Sequence, residues 1–141
     1  MALIGTSIRT YLSGISAVTD VIGSSPMRYY PDRPPHRAAG PPTYPLCVHF
    51  SSGSPVNSLT ADTGHEQANV TIECHAATRT AVDSLASVID AALNKVTGTV
   101  GSHWVHDCVL VDRNETFEDN TDGSSHNTNY ITVLDFLVNY Q

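Results

Sequence analysis

The chain has 141 residues and a mass of 15.1 kDa, which predicts one compact domain over residues 1–141 at the usual ~100–200 residues per domain. With 40% hydrophobic and only 15% charged residues, wholesale disorder is excluded, because disordered chains are poor in apolar residues and rich in charge. The formal net charge of −7, from seven Lys+Arg against fourteen Asp+Glu, excludes a basic nucleic-acid clamp, since affinity for phosphate backbones comes largely from Lys and Arg.

The first element is helical, with Ile4, Ile8, Leu12 and Ile15 spaced by three and four on one face. Gly14 weakens it by about 1 kcal/mol relative to Ala, so the pattern predicts a break there and a restart at Ser16, running to Ile22 with Gly23 as the stop. A short extended piece covers 27–30. Residues 31–45 hold six prolines, which neither continue a helix nor sit in a central strand, so they read as a long surface loop. A strand at 46–50 is expected to end at the Ser/Gly/Pro run 51–55, and a second polar stretch fills 57–64. Residues 66–76 alternate: Ala68, Val70, Ile72 and Cys74 on one face, Asn69, Thr71, Glu73 and His75 on the other, the period of a half-buried strand. Thr78 or Thr80 caps the next helix, whose stripe is Val82, Leu85, Ile89, Ala92, Leu93 and Val96, with Lys95 in its last turn and Gly98 beyond. Strands at 104–111 and 130–140 follow, joined by an acidic hairpin loop over 112–129. Two hairpin-like links and one helical crossover predict an α+β two-layer sandwich: a mostly antiparallel four-stranded sheet with two helices packed on one face.

The catalytic inventory is thin. There is no G-x-S-x-G elbow, phosphate-binding loop, H-E-x-x-H or G-x-G-x-x-G. His103 and His106 come nearest to a metal motif, with Cys108, Glu73 or His75 as conceivable partners, but residues three apart in a strand point to opposite faces. Cys47, Cys74 and Cys108 form an odd set without CxxC spacing, each within an apolar run, and read as buried reduced thiols. Asp135, inside the last strand, is expected either to face solvent or to pair with a base, because an unpaired buried carboxylate costs several kcal/mol. No catalytic, cofactor or metal residues are therefore assigned. No run approaches the ~18 apolar residues of a membrane span, and residues 1–7 lack the basic start and apolar stretch of a secretory signal, so neither membrane nor export is expected.

Charge is divided along the chain. Residues 1–40 carry Arg9, Arg28, Arg33 and Arg37 against Asp20 and Asp32, whereas the rest has only Arg79, Lys95 and Arg113 against all remaining acids. The densest acids are Asp112, Glu115, Glu118, Asp119 and Asp122, offset by Arg113 alone. Their spacing does not supply the alternate ligands of a calcium loop. They read as a solvated hairpin or as a patch past which DNA moves without sticking. The division suits head-to-tail contact between copies.

Several segments, in order, resemble one family. Ala17-Val-Thr-Asp-Val-Ile-Gly23, then Met27-Arg-Tyr-Tyr-Pro31, then a proline-rich loop reaching Pro42-Thr-Tyr-Pro45, resemble the opening of the tail-completion (tail-terminator) proteins of long-tailed bacteriophages and gene transfer agents. The centre, Val70 through Leu85, is similar to that family's strand entering an Ala-rich helix, and Asp135, Phe136, Val138 and Tyr140 match its closing pattern. The resemblance implies a ring-forming structural subunit, usually in six copies, that caps the head-proximal end of the tail tube and stops tube polymerisation. It would join the head or neck, and DNA would pass through its lumen without specific binding. The implied partners are other copies of the chain, the tail tube protein, a head-completion (stopper) protein and the tape-measure protein; the implied location is the virion, after assembly in the bacterial host cytoplasm. The family brings no enzyme activity and no cofactor. On this picture the acids Asp112, Glu115, Glu118, Asp119 and Asp122 are candidates to face the lumen or tube, and Arg28, Arg33, Arg37, Tyr29 and Tyr30 to touch a neighbour or partner. The sheet and its hairpins are expected to line the ring with the helices outside. A neck adaptor or head-closure protein is the sibling alternative, and a small metal-binding enzyme or ligand-binding domain on His103, His106 and Cys108 the remote one.

Overall fold

The three-and-four spacing of the N-terminal apolar residues yields two helices, α1 (Ile4–Ser13) and α2 (Ser16–Ile22), parted at Gly14 as expected. The Gly14 and Ile15 amides bond three residues back, to the Tyr11 and Leu12 carbonyls, which closes α1 with a tight final turn. Gly23, at φ 84°, ends α2 in a conformation that a side chain would resist. The remaining elements are β1 (Tyr29–Pro31), β2 (Leu46–Asn57), β3 (Asp62–Ala76), α3 (Arg79–Leu93), β4 (Gly98–Val100), β5 (His103–Thr121) and β6 (His126–Tyr140). The computed structural model describes residues 4–24, 27–31, 45–57, 62–121 and 126–141, so most of the proline-rich loop lies outside the described residues.

The mixed α+β class holds, but the sheet has six strands rather than four, in the order β1-β2-β3-β6-β5-β4. The two additions are three-residue border strands. β1 pairs parallel to β2, and β4 folds back antiparallel on β5. β1 falls on the short extended piece expected at 27–30, whereas β4 is too short to carry an alternation to detect. The helix count is three, because the N-terminal pattern yields two.

All main strands outrun their predicted lengths. β2 continues through the Ser/Gly/Pro run to Asn57. The Cys47 amide donates to the Arg28 carbonyl on β1; the unbroken register to Val56 turns Pro55, eight residues on, toward the same border, where no partner needs an N–H. β3 begins at Asp62, and β5 runs through the acidic stretch to Thr121, paired residue by residue with β6 up to Thr121↔His126. The acidic segment is thus a two-stranded ribbon, not a loop, and only the tip from 122 to 125 lies outside the described residues.

One face of the sheet carries the core. Cys47, Ala68, Val70, Ile72, Cys74, Leu134, Phe136, Val138 and Cys108 form one apolar cluster with Ile4, Ile8 and Leu12 of α1, Val18 and Ile22 of α2, and Val82, Leu85, Ala86, Ile89 and Leu93 of α3. The helices therefore cover this face. Thr78 caps α3, its Oγ1 accepting the Ala81 amide at 3.1 Å. The helix ends at Leu93, with Asn94 as its C-cap, rather than running on through Lys95 and Val96: Lys95 turns left-handed at φ 69°. From there the Lys95 amide donates to the Cys108 carbonyl at 2.6 Å, and Asn94 Oδ1 accepts the Leu110 amide at 3.1 Å. Lys95 thus serves as a turn residue that fastens the helix to β5, not as a charge in the last turn.

Candidate functional site

The helix-free face of the sheet is read from the register. Phe50, Thr71, Asp135 and Asp112 form one row across β2, β3, β6 and β5, and Glu73 and Val133 lie in the row beside it. Asn69, Leu137 and Val109 make the next row, and Gln67, Asn139 and Asp107 the one after. A bulge at Val111 keeps Asp112 on this face. Among the described residues these rows bear four carboxylates, Glu73, Asp107, Asp112 and Asp135, and no lysine or arginine. Asp135 is half-buried and takes a 2.5 Å hydrogen bond from the Thr71 hydroxyl. Asp112 accepts the Arg113 amide and the Asn114 side-chain amide, each at 2.9 Å, and Asp107 accepts from Asn139 at 2.8 Å.

The five acids singled out in the sequence do not gather on this face. Asp112 lies on it, but Glu115, opposite Thr132, belongs to the helix side of the ribbon. Glu118 and Asp119 fall on the ribbon strand, and Asp122 is outside the described residues. The ribbon passes the end of β3, whose last partner on β6 is Tyr130. At the other end, β3 leaves β6 at Glu66↔Tyr140 and continues with β2 to the Asn57↔Asp62 pair. Two hairpins thus project from opposite ends of one sheet.

The family model for tail completion protein gp17 matches residues 6–135. The chain belongs to the tail completion protein family. A chain from the virion of a native gene transfer agent particle has a similar fold, with TM-score 0.68 at 11% identity, over 98% of this chain and 95% of that one. Among curated proteins none matches in sequence. The family makes this a structural protein of a phage-like tail.

Of the candidate contact residues in this tail completion protein, Arg28 and Tyr29 are engaged internally. The Arg28 guanidinium donates to the Pro45 carbonyl at 2.8 Å and the Val21 carbonyl at 3.0 Å, tying α2 to the entrance of β2. Tyr29 is 1% exposed and stacked on His49, ring centres 5.0 Å apart, so it belongs to the core. Tyr30 is half-buried on β1, while Arg33 and Arg37 lie outside the described residues. His103 and His106 part company as the strand geometry requires. His103 Nδ1 lies 2.6 Å from Ser7 Oγ with its ring edge-on to Tyr140, and His106, at a bulge, packs its ring against His65 at 4.6 Å. Among the described residues no three His, Cys, Asp or Glu side chains gather to hold a metal ion, and no helix is long and apolar enough to cross a membrane. Burial first, then the Asp107 carboxylate, pushes the Cys108 thiol up to about 12, which disfavours a nucleophilic thiolate.

Sequence reasoning missed the long open borders of β2 and β5. The missing signal was apolar alternation, which a ribbon solvated on both sides does not need.

Proposed function

We propose that this protein is the ring subunit that caps the head-proximal end of the tail tube. The ring, a hexamer by family analogy, stops tube growth, offers the joining surface for the head-completion protein and lets DNA pass through its lumen. A self-propagating stack ends when a subunit copies the tube's docking surface on one side and not on the other. The two hairpins at opposite ends of the sheet give one subunit two unlike ends, and this is the observation that carries the proposal. The helix-free face supports the second half: four carboxylates among neutral polar and apolar side chains, with no lysine or arginine in these rows among the described residues, offer little that grips a polyanion. In this arrangement that face and the ribbon line the lumen, the helices stand outside, and the tape-measure protein meets the same opening from the tube side.

The test is assembly without the protein. Tail tubes formed in its absence are expected to lengthen without a defined end, and added protein to appear by electron microscopy as a cap on one end of purified tubes. Tubes of normal length that fail only to join heads would instead assign the protein to the neck. Failure to decorate tubes at all would overturn the proposal.

A further inference from the structure

β5 is the longest strand in the fold, yet its side away from β6 is covered only at the start. β4 pairs with residues 103–105, and Asn94 and Lys95 satisfy Leu110 and Cys108. Past Leu110, among the described residues, no strand lies beside it. On the opposite border of the sheet β1 covers residues 47–49 of β2, and among the described residues no strand pairs with the length from there to Asn57 on that side. Open strand edges are templates for pairing with another chain. Among the described residues the exposed large apolar side chains are Phe50, Trp104, Val109, Val111 and Phe117, and all five lie on these two strands. Of these, Val111 and Phe117 on β5 and Phe50 on β2 lie where, among the described residues, no outer strand pairs, and exposed apolar side chains at an open edge mark an interaction surface.

We propose that the open edge of β5 pairs with the open edge of β2 in a second copy of this chain, and that this pairing is the joint between neighbours in the ring; the inference rests on the capping reading above. Three relationships fit. β2, β3, β6 and β5 are successively antiparallel, so β2 and β5 run in opposite directions. Copies set side by side in one orientation therefore bring these edges together antiparallel, the more stable pairing. The edges are different surfaces on opposite borders, which makes the contact heterologous and able to close into a ring. The open parts lie toward opposite ends of the sheet, so neighbours join with an offset along the strands, the stagger that closing a set of tilted strands requires.

Two variants of the full chain test the joint. The Cys108 carbonyl and the Leu110 amide face the open side, and the bulge at Val111 hands that direction to Arg113, Glu115 and Phe117. Glu115→Pro removes an outward N–H, and Phe117→Lys leaves the backbone intact while placing a charge at the edge. Self-association is read by light scattering and cap formation by electron microscopy on purified tubes, with thermal melting as the check on folding. Both variants are expected to assemble about tenfold more weakly than wild type, the loss of one hydrogen bond or apolar contact per joint, with Phe117→Lys melting as wild type does. If Glu115→Pro fails to fold, Phe117→Lys alone decides. Variants that assemble as wild type does would overturn the edge pairing and leave the ring standing. A wild-type chain that neither self-associates nor caps tubes would remove the ring itself.

Discussion

Asp112 and Asp135 stand directly opposite each other on β5 and β6, on the face that no helix covers. Like charges in this position repel, and opposed pairs shift sheet stability by roughly 0.2–1 kcal/mol. The pair is tolerated because each carboxylate has donors of its own: the Thr71 hydroxyl for Asp135, the Arg113 amide and Asn114 for Asp112. The pair adds to a face whose rows, among the described residues, carry no lysine or arginine, in keeping with the proposed lumen. Asp112→Asn is expected to raise the melting temperature slightly at low salt, with the gain shrinking as salt screens the repulsion. Unchanged melting at both salt levels would show that the carboxylates do not sense each other.

Arg28 shows how a candidate contact residue becomes a structural one. Its guanidinium donates to carbonyls of Val21 and Pro45, and the neighbouring backbone carries the Cys47-to-Arg28 bond that starts the β1–β2 pairing. Arg28→Met keeps much of the stem and removes both hydrogen bonds. The expected cost is about 2 kcal/mol, since hydrogen bonds to charged groups contribute roughly 1.5–3 kcal/mol each before solvent compensates the freed carbonyls. Denaturant unfolding measures it as a lower midpoint with unchanged slope.

What was legible in the sequence depended on whether a residue's environment leaves a period. α3 buries a stripe along its whole length, so Val82, Leu85, Ile89 and Leu93 announce it; the Gly14 break and the Gly23 stop were equally readable because glycine acts locally. The interior of β3 and β6 alternates because one face packs on helices. By contrast, residues 51–57 and 112–121 are strand only through backbone pairing. Rich in polar residues, they leave no period, and Pro55 argues for a break unless its missing N–H is known to face away from β3. The same blindness hid the candidate site. Asp112 and Asp135 are 23 positions apart, and only the bulge at Val111 puts them on one face.

Alkaline pH should unfold this protein earlier than its composition implies. Cys108 and Tyr140 are both pushed up to about 12, chiefly by burial, with Asp107 adding for the thiol and Glu66 for the phenol. The unfolded chain releases these protons near the ordinary values of 9.0 and 10.0, while the folded chain holds them to about 12. Below pH 9 both states are protonated and the stabilisation is complete; as pH rises toward 12 the unfolded state gains by ionising and stability falls. Tyr140→Phe is expected to flatten the upper part of that decline in a pH series of unfolding midpoints, although it also gives up the 2.6 Å bond to Glu66. An identical slope in the variant would mean that Tyr140 ionises alike in both states.

The turn between β4 and β5 is held by a close approach that only glycine permits. Gly101 has φ 60°, and a Cβ there would lie 2.6 Å from Ser7 Cα and 2.7 Å from its carbonyl oxygen. These are backbone atoms of α1, so no side-chain rotation relieves the clash. The contact seats the Ser7 hydroxyl among the Ser102 amide, the Ser102 hydroxyl and His103 Nδ1, which joins the first helix to the start of β5. Ser7→Ala removes one buried hydroxyl at an expected cost of about 1 kcal/mol. Gly101→Ala must strain a left-handed residue and also displace α1, and should cost more, on the order of 2–4 kcal/mol. Chemical denaturation of the two variants ranks them. A smaller loss for Gly101→Ala would mean that the turn moves away from α1 without cost, and that His103 is not held where the fold places it.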